Sequence, residues 1–320
     1  MYPNLSYLFH DIFGTNVDNF FRYFQMFGTF LALAFFVSAY FLFLELRRQK
    51  SLGVYPPHLT KNEKGELKET YPHERVGDIL MIAAISGMLG AKIFAIFESA
   101  ENVKQFLDAP IQTLFSPSGI AIYGGLIFGF IFVYIFAKYW LKINPVYMMD
   151  AVAPALIFGY SVGRIGCQLS GDGDWGIDNV SATPSWWFLP KWMWSFDYPH
   201  NVIDMGEPIA NFVGLHNRHL HIPVYPTPFY ETIMAALIGL FLWSIRKKLR
   251  HPGALFYIYL ILNGTERFFI EKIRINDKLH AFGLTFTQAE LIATIIFFVG
   301  IIGLVYSFTR KDIALYPVTS

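Results

Sequence analysis

The sequence predicts an all-α, polytopic membrane protein of about seven transmembrane helices with a small outer, periplasmic head. Three observations predict it. The chain is 54% hydrophobic and only 15% charged, a balance outside that of soluble domains. Several windows are long enough to cross a hydrocarbon core of about 30 Å, which takes roughly 20 predominantly apolar residues in a helix. Lysine and arginine gather in the short connections that fall on one side of such a bundle.

Seven windows meet the length requirement: residues 25–46, 77–98, 119–141, 146–165, 228–246, 253–271 and 287–308. Ahead of the first, Met1 to Asn19 lacks a basic start, an apolar run and a small-residue cleavage site. Span one is therefore expected to act as the insertion signal and to stay in the protein. It ends in Arg47, Arg48 and Lys50, and the stretch 51–75 with "KNEKGELKE" reads as a solvated loop. Span two carries Lys92 and Glu98 in its outer half. Span three opens at Tyr123 in "SGIAIYGGL" and closes at Lys138 and Lys142, and span four ends at Arg164.

Residues 166–227 form the one large polar insertion, lying between spans four and five of a single membrane-embedded domain, 1–320. It is rich in tryptophan (Trp175, Trp186, Trp187, Trp192, Trp194), proline and histidine. Amphipathic indoles settle in the headgroup layer, so this segment is expected to be an outer head. With Cys167 as the single cysteine, no internal disulfide can staple it, and packing alone must hold it. Arg246, Lys247, Lys248 and Arg250 follow span five, and Arg310 and Lys311 follow span seven. These clusters and those after spans one and three share one side. That side is expected to be cytoplasmic, with the N-terminus outside and the C-terminus inside. Lys272 and Arg274, after span six, break the pattern. The chain shows no internal repeat and no matched pair of interrupted helices, which argues against a transporter.

Ionisable groups in a bilayer are costly, about 3 kcal/mol each at the centre on insertion scales, and those that remain usually face an interior cavity. Arg164 ends span four, with Tyr160 one turn earlier on the same face. Asn263, Arg267 and Glu271 are spaced four and four along span six, so one face carries an amide, a guanidinium and a carboxylate. Tyr230 and Glu231 open span five. On this topology Arg164, Asp172, Tyr230, Glu231, Arg267 and Glu271 converge on the outer face. Arg267 and Glu271 are open to two readings, mutual neutralisation as an i, i+4 pair or a share in a site. Around Arg164 stand Gly163, Gly166, Gly171, Gly173 and Gly176, which let backbone approach a ligand closely. A guanidinium with amides suits a phosphate or carboxylate, and an anion site is the favoured reading there over a plain helix-ending turn. His216, His219 and His221 in "LHNRHLHIP" lack a cysteine or carboxylate at matching spacing, so no metal site is expected. Cys167 has no nearby histidine in sequence and reads as a packed residue rather than a nucleophile.

"GYSVGRIGCQLSGDGDWG" (159–176), "YGGL" in span three, "PVYPTPFYE" opening span five and "RFFIEKIR" in span six together resemble, in order, the motifs of the prolipoprotein diacylglyceryl transferase family. The similarity covers roughly residues 25–307. It implies a bacterial inner-membrane enzyme that moves the diacylglyceryl group of phosphatidylglycerol onto the lipobox cysteine thiol of preprolipoproteins. The products are a thioether and glycerol 1-phosphate. The resemblance further implies that Arg164 binds phosphatidylglycerol and that Arg267 is essential, with Glu271 orienting it. Asp172, Gly171, Gly176, Tyr230 and Glu231 are expected to line the lipid site, and Tyr123 and Asn263 the catalytic one. The chain departs from the family pattern where many relatives carry histidine for Tyr123, tyrosine for Asn263 and asparagine for Cys167. "GDGDWG" is also one residue longer than the usual "GELWG". These departures leave the base that activates the thiol open, and keep an inactive lipid-binding relative as the alternative beside a transporter. Lys272 and Arg274 are expected to hold an anionic headgroup near the site. No cofactor, metal or nucleic acid is called for.

Overall fold

The structure, a computed structural model, describes residues 1–61, 66–116, 121–276, 278–281 and 284–317. Residues 62–65, in the expected solvated loop, and 118–120 of "SGIAIYGGL" lie outside the described residues. Ten α-helices are described: α1 Leu5–Phe13, α2 Met26–Ser51, α3 Val76–Phe97, α4 Ala100–Asp108, α5 Pro110–Phe115, α6 Ile122–Ile135, α7 Pro145–Ser170, α8 Thr227–Ile245, α9 Ala254–Glu271 and α10 Gln288–Thr309. The seven longest fall on the seven predicted spans, α6 being carried on by a wide π-type turn over Phe136–Trp140. An otherwise helical fold also holds three short antiparallel ribbons. They pair His58–Lys61 with Leu67–Thr70, Glu207–Pro208 with Arg218–His219, and Lys278–Ala281 with Leu284–Thr287.

Six of the helices are long and apolar enough to cross a membrane. The exception among the seven is α9, of 18 residues, which at about 1.5 Å per residue is nearly as long as a bilayer core is thick. Its three charged side chains, Glu266, Arg267 and Glu271, take it out of the apolar class. The chain is thus a multi-pass membrane protein in which one long helix is marked out by polarity.

The chain divides into two compact units, Met1–Ser38 with Val152–Ser320, and Ala39–Ala151. In the second, α3 and α6 pack with their backbones almost in contact. A Cβ on Gly90 would come 2.4 Å from the Gly124 carbonyl oxygen, and one on Gly124 equally close to that of Gly90. Lipid tails are as apolar as leucine, so helices in a bilayer associate through such small-residue contacts.

The first unit contains the head, the C-terminal ends of α7 and α9 and the N-terminal end of α8. Trp175, Tyr198, Leu220 and Val224 form the head's core, with Met1 and Phe196 packed against it. Buried Asn201 donates to the carbonyl oxygens of Tyr198 and Met205 and accepts the Met205 amide, a polar staple where no disulfide is available. The N-terminal segment joins this head, which the sequence reading does not foresee. The Tyr2 amide donates to the Leu169 carbonyl at 3.1 Å, and the Tyr7 hydroxyl accepts the His216 amide at 3.1 Å. Because α7 continues to Ser170, the head proper starts at Gly171, five residues later than the predicted insertion at 166.

Candidate active site

Local sequence explains how the charges meet. At the end of α7, Gly171 takes a left-handed turn with φ 63° and donates its amide to the Cys167 carbonyl. Gly173, with φ 95°, turns the chain again. The strand-like stretch that follows runs against the residues after α9: Gly176 bridges to Arg274, and the Ile177 amide donates to the Ile273 carbonyl at 2.8 Å. A Cβ at Gly176 would fall 2.5 Å from that same carbonyl oxygen, so only glycine admits the pairing. The Thr227 hydroxyl, at the start of α8, donates to the Asp174 carbonyl at 2.9 Å. Asp174, Arg274 and the first turns of α8 are thereby drawn together.

Glu231 is the hub. Its side chain is 0% exposed and faces three arginines. Arg164 donates through Nη2 to Oε1 at 2.8 Å and brings Nε within 2.8 Å of Oε2. Arg274 donates through Nη1 to Oε1 at 3.0 Å. Arg267 Nη1 lies 3.9 Å from Oε2. The Tyr160 hydroxyl also donates to Glu231. Asp174 bridges the same cations, accepting from Arg164 and, at 2.8 Å, from Arg274 Nη2. Glu271 completes the set: it meets Arg267 Nη2 at 3.2 Å and accepts from Asn276 and, at 2.9 Å, from the Thr287 hydroxyl. Three guanidinium groups thus meet three carboxylates. Burial of Asp174 opposes its charge, but Arg164 and Arg274 outweigh that and hold its carboxyl below the ordinary range. Burial likewise opposes the Arg274 charge, and Asp174 and Glu231 more than restore it.

The cations differ in how open they are. Arg164 and Arg274 have side chains 9% exposed, whereas that of Arg267 is 27% exposed and its contacts are the longest. Arg267 is therefore the guanidinium best placed to receive an incoming anion, with the other two behind it as a fixed positive field. Arginine suits both tasks, since its planar fork pairs two oxygens at once.

Of the residues selected from sequence, Arg164, Glu231, Arg267 and Glu271 come together, with Asn263 partly buried one turn before Arg267. Others take different places. Asp172 is in no ion pair among the described residues; its Oδ1 accepts the Asp174 amide at 3.3 Å, and the neighbouring acid has the arginines. Gly171 and Gly176 already donate their amides to Cys167 and Tyr225 carbonyls, so they shape the turn rather than offer donors to an anion. The Tyr230 hydroxyl donates to the Met193 carbonyl at 2.8 Å, tying α8 to the head. Tyr123 stands in the first turn of α6, in the unit Ala39–Ala151. Arg274 is enclosed in the cluster rather than set out toward lipid headgroups, while half-exposed Lys272 pairs with Glu290 at 2.5 Å.

Sequence reasoning misses Asp174 and the structural place of Arg274. Arg267 and Arg274 are seven apart, a one-face spacing that was available to be read. The choice of Asp174 over Asp172 was not, because it depends on two glycine turns. As to metals, Cys167, Asp172 and Asp174 bring ligand atoms within 4.8 Å of one another, yet Asp174 is committed to two arginines. His216, His219 and His221 face separate carboxylates, Asp204, Asp197 and Glu207, and do not converge.

A model of the prolipoprotein diacylglyceryl transferase family matches residues 20–306. Curated relatives named phosphatidylglycerol–prolipoprotein diacylglyceryl transferase include one from Staphylococcus haemolyticus, 30% identical over 76% of this chain and 77% of its own. One from Clostridium tetani is 28% identical over 73% of this chain and 82% of its own. Another, from Leptospira interrogans, is 26% identical over 78% of this chain and 71% of its own. The helical topology, the ordered motifs and these matches together show that the chain belongs to the prolipoprotein diacylglyceryl transferase family.

Proposed function

We propose that this protein transfers the diacylglyceryl group of phosphatidylglycerol to the lipobox cysteine thiol of preprolipoproteins, forming a thioether and releasing glycerol 1-phosphate. The observation that carries the proposal is the fully buried Glu231 with three arginines around it. In the reaction the thiol sulfur attacks a glycerol methylene carbon, and the carbon–oxygen bond to phosphate breaks with its electron pair left on the phosphate. Negative charge therefore grows on the phosphate in the transition state. Guanidinium groups already held in position stabilise such charge without reorganising.

In this reading Arg267 meets the phosphate, Arg164 and Arg274 supply the field, and Glu231 and Glu271 hold the three in place. Asp172, Tyr230 and the glycine loop shape the space for the lipid headgroup, and Tyr123 and Asn263 are assigned hydrogen-bonding roles toward the substrates. The partners are phosphatidylglycerol and signal peptides bearing a lipobox cysteine. The basic clusters after α2, α6, α8 and α10 support a bacterial inner-membrane location with the N-terminus outside and the C-terminus cytoplasmic.

Purified protein in liposomes, given phosphatidylglycerol and a lipobox peptide, tests this by the peptide's mass and the glycerol phosphate released. Wild type is expected to lipidate the peptide, and Arg164→Ala to lose at least 100-fold in rate while remaining folded in detergent. Wild type that binds phosphatidylglycerol without product would instead establish a lipid-binding relative.

A further inference from the structure

We propose that Glu266 is the proton acceptor for the attacking thiol, an assignment that rests on the transferase reading above. Glu266 lies next to Arg267 on α9, in none of the motif blocks, and is 5% exposed. Among the described residues neither of its carboxylate oxygens has a hydrogen-bond partner, and no cation pairs with it. A carboxylate enclosed in this way is rare, because burying a charged group without partners is costly. Unsatisfied groups of this kind collect where chemistry needs them.

Comparison with its neighbours sharpens the assignment. Asp174, Glu231 and Glu271 are each held by arginine, and those three acids balance the three guanidinium groups. Glu266 is a fourth carboxyl group beside them, and among the described residues it differs in that both of its oxygens are free to take a proton. Its electrostatic neighbours are Glu231 on α8, Arg164 and Tyr160 on α7, Arg267 and Tyr259 on α9, and Arg274 beyond it. Tyr259, Asn263 and Glu266, spaced four and three, form a stripe of α9 adjoining that of Arg267 and Glu271. A substrate phosphate held by Arg267, the most open cation, would set the reacting carbon within reach of the residue that precedes it in the helix.

The step balances. The thiol proton passes to a Glu266 oxygen as the sulfur pair forms the sulfur–carbon bond, and the carbon–oxygen bond breaks toward phosphate. The protonated Glu266 then gives its proton to the departing phosphate monoester, which restores the carboxylate. A free thiol near its ordinary pKa of about 8.5 is mostly protonated at neutral pH and needs such an acceptor.

Glu266→Gln keeps the size and removes the acceptor. In the liposome assay its kcat is expected to fall ten-fold or more, general base removal typically costing ~10²–10⁴-fold. The KM for phosphatidylglycerol should stay within two-fold of wild type. Its residual rate should climb with pH as the peptide thiol ionises unaided, and Glu266→Asp should recover part of the loss. A kcat within ten-fold of wild type, or a loss of phosphatidylglycerol binding in step with activity, would overturn the assignment. Wild type without product overturns the transferase reading itself, which the wild-type arm alone decides.

Discussion

The arginine cluster at the ends of α7, α8 and α9 and the His219 and His221 pairs of the head are both acid–base sets in one compact unit, and burial separates them. Glu231 is 0% exposed and contacts three guanidinium groups. His221 and Glu207 are 72% and 59% exposed and meet at 3.0 Å as a single pair. In the first set each charge depends on the others, since removing one leaves its partners buried without compensation. In the second, water does the same work as the partner, and an exposed pair of this kind contributes roughly 0–1 kcal/mol. Similar contacts are therefore interdependent in one region and nearly independent in the other.

The largest break in that contrast should come from Glu231→Gln. It strips the shared counter-ion from three arginines, and a loss of about 3–5 kcal/mol is expected, as for other buried pairs broken on one side. Thermal unfolding in detergent should show a strongly lowered midpoint, together with loss of lipidating activity. A midpoint unchanged from wild type would mean that water reaches the cluster and that its charges are independent.

Asp174→Asn should come next. Its side chain is 41% exposed, so the expected loss is smaller, about 1 kcal/mol. It also predicts a pH effect. Because Arg164 and Arg274 hold its folded carboxyl below the ordinary range, its contribution is fully present above the unfolded value and disappears as pH falls through the folded one. Stability should hold through mildly acid pH and then drop, and the Asn variant should lack that part of the drop. An acid limb identical in the two proteins would assign it to another carboxyl group.

At the small end, His219→Ala in the head should change stability by less than about 0.5 kcal/mol, its partner Asp197 being well exposed. A loss several times larger would put the head's pairs in the same class as the cluster and remove the contrast.

The seven helical windows were readable because bilayer thickness imposes a length and an apolar composition that few other structures share. The polar face of α9 was readable for the same reason, since each charged residue there stands out against its surroundings. Arg164, Glu231, Arg267 and Glu271 accordingly emerge from sequence and meet in space. Asp174, by contrast, differs from Asp172 only in which side of the Gly173 turn it occupies. Arg274 looked like a surface group because the chain segment that covers it comes from a hundred residues earlier. The N-terminal segment's place against the head rests on Tyr7 and His216, 209 residues apart, a contact without local signature.

Sequence by itself therefore determined the membrane class, the order of the helices, the family and most of the charged residues of the arginine cluster, since each follows from local composition and spacing. Tertiary structure alone decided which acid holds which arginine, and which carboxyl group is left without a partner. Ion pairing depends on distances of a few ångströms between distant parts of the chain, and glycine turns and helix packing set those distances.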